Sequence, residues 1–283
     1  MKLGIVTSYY FRNYGMTEGA RRMARQGYSC ADYQDFINTE TDFFRLDEQA
    51  FEAELKRQRR AVEEGGIVFS QTHAPWRYPP RDLEPADKEE RLQAMMKSIR
   101  GTAYLGCSNF VVHPIMPFGA NSAENSETVI DINCEFMGKL SEAGKEYGVT
   151  VCLENMPFPK LPITTAKHVK DFAKRINSDY FKVCLDTGHA LVCKETLAES
   201  VRYIGKEYLA TLHVHDNDGT ADRHLRMYEG IGEWEAFSDA LADIGFDGTF
   251  SIETSPLRVD DPKEQEKNEL TLAEVAAKLA KIK

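Results

Sequence analysis

Eight short β-rich runs, separated by stretches with helical periodicity, recur along this chain of 283 residues. Several runs are rich in Val, Ile, Phe and Thr and almost continuously apolar, as strands buried on both faces must be. Such an alternation places parallel strands inside a layer of helices, and eight units are the number that closes a barrel. The sequence therefore predicts an α/β fold of the (β/α)₈ TIM-barrel type. The runs begin at Leu3, Tyr28, Gly66, Asn109, Val149, Phe181, Leu209 and Gly248.

The stretches between the runs have apolar residues at helical spacing, as Leu92, Met95 and Ile99 illustrate. The sequence has no Pro- or Gly-rich linker, and no run is followed by a glycine-rich phosphate loop, which disfavours an open dinucleotide-binding sheet. We therefore expect one domain over residues 1–283. The predicted helices cover residues 47–64, 87–105, 126–147, 164–176, 195–203, 234–244 and 262–280.

The charge balance argues weakly against a protein that binds polyanions. The chain has 35 basic and 45 acidic side chains and a net charge of -10, which repels phosphates unless a local basic groove exists. Its first apolar run is too short for a signal peptide, and no apolar stretch is long enough for a membrane span. The six cysteines include no C-x-x-C pair. We expect reduced thiols, a cytoplasmic location and no membrane partner.

Acids and imidazoles stand at the ends of six successive runs, where a barrel converges on one face. Two acids directed into one low-dielectric mouth repel each other unless a cation lies between them, so the pattern favours a metal site. An oxygen-rich set with one imidazole suits Mn²⁺ best, while Zn²⁺, Co²⁺ and Mg²⁺ are also compatible. Of the two strand-seven histidines, His213 is favoured as ligand because it is level with Glu253, whereas His215 is expected nearer solvent. The proposed ligands are Glu154, Asp186, His213 and Glu253.

A second group of polar residues surrounds this set. It could hold a second or third metal, or it could bind sugar hydroxyls, and the two readings stay open; for His73 and His113 a substrate or structural role is favoured. Trp76 and Arg77 after the third run, with Arg223, suit the rim of a sugar pocket. The second group consists of His73, His113, His189, His215, Asp222 and His224.

Eight short motifs together resemble the sugar phosphate isomerase/epimerase family of the xylose-isomerase-like TIM barrel superfamily, and the resemblance spans nearly the whole chain. The superfamily also contains apurinic endonucleases of the endonuclease IV type. The resemblance implies a metal held by the four proposed ligands, with Glu154 and Glu253 as the acid–base pair. The motifs are THAP from Thr72, VVHP from Val111, CLEN from Cys152, CLDTGHA from Cys184, LHVHDNDG from Leu212, DRHL from Asp222, GIGEW from Gly230 and SIET from Ser251.

The predicted function is metal-dependent isomerisation or epimerisation of a sugar or sugar phosphate, by proton transfer next to a carbonyl. An endonuclease IV-like phosphodiester hydrolase is the first alternative, because six residues match the additional ligands of that type: His73, His113, Asp186, His189, Asp222 and His224. A dehydratase or lyase, or one subunit of a larger enzyme, is the other. The loop after the seventh run is acidic at Asp216, Asp218 and Asp222, so a small carbohydrate is the expected partner and nucleic acid is not. A homo-oligomer is possible.

Overall fold

A computed structural model describes residues 1–76 and 84–282 of the chain. Its eight strands are all parallel and form one sheet in the order β7-β6-β5-β4-β3-β2-β1-β8. A parallel pairing of Val214 with Ile252 brings the two outer strands together, so the barrel is nearly closed. The predicted fold class is confirmed. The strands are β1 (Lys2–Val6), β2 (Cys30–Tyr33), β3 (Val68–His73), β4 (Asn109–Val112), β5 (Thr150–Glu154), β6 (Phe181–Asp186), β7 (Leu209–His213) and β8 (Thr249–Ile252).

Helices connect successive strands and pack around the sheet. Every predicted helix is present, with ends that differ from the prediction by at most a few residues. The helices are α1 (Ser8–Tyr14), α2 (Met16–Arg25), α3 (Asp42–Arg45), α4 (Glu48–Glu64), α5 (Pro85–Tyr104), α6 (Ser126–Tyr147), α7 (Ala166–Ile176), α8 (Thr187–Val192), α9 (Leu197–Tyr208), α10 (Trp234–Asp243) and α11 (Pro262–Leu279), and a 3₁₀ turn covers Ala123–Asn125. Among these described elements, none has the length and apolarity that crossing a membrane requires.

The first connection differs from the sequence prediction. The sequence from Leu3 to Tyr10 predicts one continuous β-rich run, but strand β1 ends at Val6, and Tyr9 and Tyr10 lie buried in α1. Aromatic residues are common in strands, which made this segment ambiguous. Gly15, at φ 73°, separates α1 from α2 because a left-handed backbone conformation is needed there.

Apolar side chains form one large region of core and smaller clusters apart from it. The large region lies between the sheet and the surrounding helices and includes Trp234, Phe237 and Phe250. A much smaller cluster of Val111, Cys152 and Cys184 lies apart from it. Both cysteines are buried free thiols, as the sequence predicted. Since adjacent residues of a strand point to opposite faces, the other face of each strand is left to present polar side chains at its carboxyl end.

Candidate metal centre

The carboxyl ends of four neighbouring strands bring the proposed ligands together. Glu154, Asp186 and His213 are the last residues of β5, β6 and β7, and Glu253 directly follows β8. One ligand atom from each of the four side chains lies within 4.8 Å of the others. Glu154, Asp186 and His213 are buried, and the Glu253 side chain is 14% exposed. The four residues therefore form one compact, poorly hydrated cluster.

His213 is oriented by carboxylates on both sides of its ring. Its Nδ1 lies 2.9 Å from Glu154 Oε1 and 3.2 Å from Glu253 Oε2. Its Nε2 lies 3.0 Å from Oδ2 of Asp32, a buried residue of β2 that also accepts a hydrogen bond from Gln71 Nε2. A carboxylate on the far nitrogen of a histidine is the usual way to fix a metal-binding imidazole.

Asp32 was missed in the sequence. It stands one residue before the end of a β-rich run, which is the signal that identified the other acids. The run from Tyr28 contains small and polar residues, so it is less typical of a buried strand and the position of its carboxyl end is harder to predict.

Within residues 1–76 and 84–282, the ion pairs of the cluster's carboxylates are with histidines. Burial alone would raise the pKa of Glu154, but His213 and His113 outweigh it and hold this pKa well below its usual value. Burial raises the pKa of Glu253. The same carboxylates hold the pKa of His213 well above its usual value despite burial. Protonated imidazoles therefore balance the negative charge of these carboxylates. A bound divalent ion would balance the same charge.

One oxygen of Glu154 tests directly whether a cation fits. Glu154 Oε2 is buried and makes no hydrogen bond within the described residues, and neither does Nδ1 of His113. The Nε2 atoms of His113 and His73 approach this oxygen at 2.9 and 3.6 Å and lie 3.2 Å from each other. A buried carboxylate oxygen facing two imidazole nitrogens without hydrogen-bond geometry is the donor set that a metal ion satisfies.

Three further members of the second group, Asp222, His189 and His224, contact one another. Oδ2 of Asp222 is 3.2 Å from Nε2 of His189 and 3.2 Å from Nε2 of His224. Burial alone would lower the pKa of both imidazoles, but Asp186 and Asp222 outweigh it at His189 and Asp222 and Glu253 outweigh it at His224, so that each pKa is raised to about 10. His189 is positioned by Asp186, whose Oδ1 accepts the His189 backbone N–H at 2.6 Å and so caps α8.

His215 is fully buried, contrary to the expectation that it lies nearer solvent. The ring of His224 stacks on it with centroids 4.1 Å apart and covers it. Its Nε2 lies 3.0 Å from Asp186 Oδ2. Gly188 lies so close to the His215 ring that a Cβ atom there would overlap it, which explains the glycine in the LDTGH motif. Both strand-seven histidines therefore reach the acidic cluster.

The predicted rim is only partly described by the structure. The Trp76 ring packs edge-on against His113, with centroids 4.3 Å apart, beside a small apolar cluster of Met116, Met156 and Leu161. Arg77 lies outside the described residues. Nε of Arg223 is 2.7 Å from Oδ2 of Asp218, so its charge is engaged in the loop after β7.

The acidic character of that loop was overestimated. Asp216 is fully buried, and its carboxylate accepts hydrogen bonds from the backbone N–H of Gly230 and Gly232 and from Trp234 Nε1. It therefore holds the loop against α10 and presents no charge at the surface. The loop after β7 therefore presents fewer acidic charges to a nucleic acid than its sequence suggests.

A family model for the xylose isomerase-like TIM barrel matches residues 21–278 of this chain. The match covers most of the chain, and the chain belongs to this family.

Several proteins are similar in sequence. The uncharacterized protein MJ1311 of Methanocaldococcus jannaschii is 29% identical over 268 residues, which are 91% of this chain and 85% of that protein. A D-psicose 3-epimerase of Ruminiclostridium cellulolyticum is 30% identical over 42% of this chain and 39% of its own length. A probable endonuclease 4 of Nitrosopumilus maritimus is 29% identical over 51% of this chain and 56% of its own length.

Solved structures include sugar epimerases of the same fold. A D-tagatose 3-epimerase-like protein has a TM-score of 0.77 at 22% identity and covers 100% of this chain and 98% of its own. A D-psicose 3-epimerase in the presence of D-fructose has a TM-score of 0.78 at 16% identity, covering 99% of both chains. The IolI protein with a binding zinc atom has a TM-score of 0.74 at 17% identity, covering 99% and 98%. At these identities the likeness establishes the fold.

Proposed function

We propose that this member of the xylose isomerase-like TIM barrel family is a divalent-metal-dependent sugar or sugar-phosphate isomerase or epimerase. The observation that supports this most directly is the convergence of ligand atoms from three carboxylates and one imidazole at four strand ends to within 4.8 Å of one another. The sugar epimerases among its relatives and structural neighbours agree with this reaction class.

Glu154, Asp186, His213 and Glu253 would hold the ion, and Asp32 would orient His213. Three carboxylates and one imidazole form a hard ligand set, for which Mn²⁺ is the first choice and Zn²⁺, Co²⁺ and Mg²⁺ are compatible. The zinc atom in the IolI structure shows that a barrel of this fold accommodates a divalent ion. When bound, such an ion supplies Lewis acidity that weakens a C–H bond next to a substrate carbonyl.

Glu154 and Glu253 are proposed as the acid–base pair. They come from the ends of β5 and β8, and β6 and β7 lie between those strands, so the two carboxylates approach the cluster from different sides. One carboxylate removes a proton from carbon, and the other returns a proton from the opposite face. Return to the same carbon gives epimerisation, and return to the neighbouring carbon gives aldose–ketose isomerisation.

A cavity of about 390 Å³ at the mouth gives a small substrate access to Glu253. It is lined by Glu253 and His224, by Ser8 at the start of α1, and by residues of the loops after β2 and β8, among them Gln34 and Thr254. Its volume lies in the range of small-molecule sites. Trp76, Arg77 and Arg223 are proposed to contribute to the rim.

The test is carbon-proton exchange with metal-loaded protein in deuterated water, followed by NMR on a panel of ketoses, aldoses and their phosphates. We expect deuterium at one carbon next to the carbonyl of at least one sugar, and loss of this exchange after chelation. Elemental analysis of protein purified without chelator should find at least one divalent ion per chain. Protein that lacks metal and gains no exchange with Mn²⁺ or Zn²⁺ would contradict the proposal.

A second candidate function, phosphodiester hydrolysis of the endonuclease IV type, rests on a separate observation. His73 and His113 converge on Glu154, and His189 and His224 converge on Asp222, so ligands for further metals surround the central set. A probable endonuclease 4 is also among the relatives. Incubation of metal-loaded protein with a labelled abasic duplex separates the candidates, since mutation of shared ligands cannot. We expect no incision at physiological salt; efficient incision beside the abasic site would make hydrolysis the better assignment.

Product analysis addresses the remaining alternatives. Proton removal next to a carbonyl also begins a dehydration or lyase reaction, in which exchange is accompanied by loss of a substrate group. A sugar recovered intact with one inverted or transferred centre supports the isomerase or epimerase proposal.

A further inference from the structure

The Asp32 carboxylate holds three side chains that reach different parts of the barrel. Its Oδ2 lies 3.0 Å from Nε2 of His213 and accepts a hydrogen bond from Gln71 Nε2 at 2.8 Å. Its Oδ1 accepts a hydrogen bond from Gln34 Nε2 at 3.0 Å. Because an ionised carboxylate has no proton to donate, each partner turns a donor nitrogen towards Asp32. The second polar atom of each partner therefore points elsewhere.

Two of these second atoms meet groups of the protein. Nδ1 of His213 faces the glutamates of the metal centre. Oε1 of Gln71 accepts a hydrogen bond from the hydroxyl of Thr211. Gln34 differs from both, because its Oε1 accepts no hydrogen bond from the residues that the structure describes, and its side-chain amide is engaged through Nε2 alone.

Gln34 lies at the mouth of the barrel. It directly follows β2, is half-buried, and lines the cavity of about 390 Å³ together with Glu253 and His224. Rotation of the amide by half a turn would direct Oε1 at the Asp32 carboxylate and lose the hydrogen bond between them. The amide oxygen of Gln34, and not its NH₂ group, is therefore the atom that is available to a ligand in this cavity.

An amide oxygen in this position selects for a donor. A hydroxyl group can donate a hydrogen bond to it, whereas a carboxylate or a phosphate dianion has no proton to give. We infer that Gln34 is a substrate-binding residue, whose Oε1 accepts a hydrogen bond from one hydroxyl group of the substrate beside Glu253. The inference rests on the proposed function and adds a specificity-determining residue to it.

Binding of a hexitol tests the site independently of catalysis, because this sugar alcohol has hydroxyl groups but no carbonyl and cannot undergo the proposed reaction. In an NMR titration of metal-loaded protein, we expect Gln34→Met to weaken binding about tenfold. Met is similar in length but has no amide oxygen, and one hydrogen bond accounts for about that factor. The control is Gln93→Met, which should leave binding unchanged, since Gln93 donates to Glu89 on the exposed surface of α5.

Titration with Mn²⁺ distinguishes a substrate-binding residue from one that acts through the metal centre. We expect Gln34→Met to leave the Kd for Mn²⁺ unchanged, because Gln34 bonds the oxygen of Asp32 that does not face His213. Asp32→Asn should raise this Kd about 10–100-fold, the usual effect of changing the partner of a ligating histidine. An equal loss of Mn²⁺ affinity in both variants would make Gln34 a structural partner of Asp32 and overturn the inference.

Carbon-proton exchange identifies the hydroxyl group concerned. For a sugar that the wild type turns over, we expect Gln34→Met to raise KM about tenfold with little change in kcat, as loss of a contact made equally in ground and transition states should do. Monodeoxy derivatives of that sugar each lack one hydroxyl group. For the derivative without the bound hydroxyl, wild type and Gln34→Met should have the same KM.

The two assays separate failure of this inference from failure of the proposed function. Hexitol binding and KM values that Gln34→Met leaves unchanged, with exchange on a sugar intact, would overturn the inference and leave the proposed function standing. Hexitol binding that depends on Gln34, without exchange on any sugar, would overturn the proposed function and support a hydroxyl-binding site at the mouth.

Discussion

Two buried groups of polar residues in this barrel contain glutamates, and they differ in what surrounds the carboxylate. Beside α1 and α2, Glu269 of α11 is fully buried and accepts hydrogen bonds from four side chains. The donors are Tyr9 and Tyr14 at 2.8 and 3.0 Å and Arg22 and Gln26 at 2.5 and 2.6 Å.

At the mouth, Glu154 is equally buried but has one oxygen without a hydrogen bond and other acids nearby. Burial alone would raise the pKa of Glu269, but Arg22 and the other donors outweigh it and lower that pKa. The Glu269 group is therefore complete within the protein and ties α11 to α1 and α2. At the mouth, by contrast, one oxygen of Glu154 has no such donor among the described residues, and the proposed cation site rests on this difference.

The largest expected effect is on catalysis. Glu154→Gln and Glu253→Gln should each lower the carbon-proton exchange rate by about 10²–10⁴-fold, because Gln keeps the shape but cannot accept the proton. Glu269→Gln makes the same chemical change in the other buried group and should leave exchange per folded molecule near the wild-type value. NMR in deuterated water on a confirmed substrate measures all three. Wild-type exchange in either mouth variant would show that the glutamate concerned is not the base.

For the stability of the fold, we expect a large loss when Glu269 is removed. Glu269→Ala should lower the free energy of unfolding by about 3–5 kcal/mol, since it leaves Arg22 and the three other donors without their buried acceptor. Glu269→Gln should cost less, because an amide oxygen still accepts some of these hydrogen bonds. Urea unfolding followed by circular dichroism gives both values. A loss below about 1 kcal/mol for Glu269→Ala would remove the distinction between the two groups.

Metal should stabilise the mouth and have no effect through the Glu269 group. At a free ion concentration of one hundred times Kd, Mn²⁺ or Zn²⁺ should add about 2.7 kcal/mol to the stability of the wild type. Asp186→Ala should abolish this gain, whereas Glu269→Gln should retain it on a lower baseline. Thermal unfolding with and without ion measures the difference. His213→Asn and His215→Asn, compared in the same assay, will decide which imidazole is the ligand; we expect the larger loss for His213→Asn.

A smaller effect concerns Glu195. Its carboxylate has fewer hydrogen-bond donors than that of Glu269, but it has one, from a backbone N–H. Both of its carboxylate oxygens lie 3.1 Å from the backbone N–H of Ala166, and burial raises its pKa to about 7. The raised pKa means that the folded state holds a proton that the unfolded state releases near pH 4.5, so stability falls as pH rises between about 4.5 and 7. Glu195→Gln should reduce this fall by about 1 kcal/mol or less, because the side chain is partly exposed to solvent. Unfolding curves at pH 5 and pH 8 test it, and parallel pH profiles for the two proteins would contradict it.

The alternation of strands and helices in the sequence was sufficient to predict the architecture. Eight apolar runs alternating with amphipathic helices admit few arrangements other than a barrel, because strands buried on both faces require helices on the outside. Strand order and the clustering of Glu154, Asp186, His213 and Glu253 followed from this fold, since parallel strands bring their carboxyl ends to one face. The local motifs were equally readable: the Asp186 cap and the neighbouring glycine are contained within a few residues.

Hydrogen bonds between polar residues from distant parts of the chain could not be predicted from the sequence and are seen in the folded structure. Asp32 and His213 lie 181 positions apart and Glu269 and Tyr9 lie 260 positions apart, and no local pattern connects either pair. The burial of Asp216 and of His215 also depended on side chains from other segments that cover them. Periodicity indicates which face of its helix or strand a residue occupies. Its hydrogen bonds and its burial depend on the side chains that the rest of the chain packs against that face. For that reason the sequence located the mouth of the barrel, and the packed structure determined which of its charges are already paired and which still require a partner.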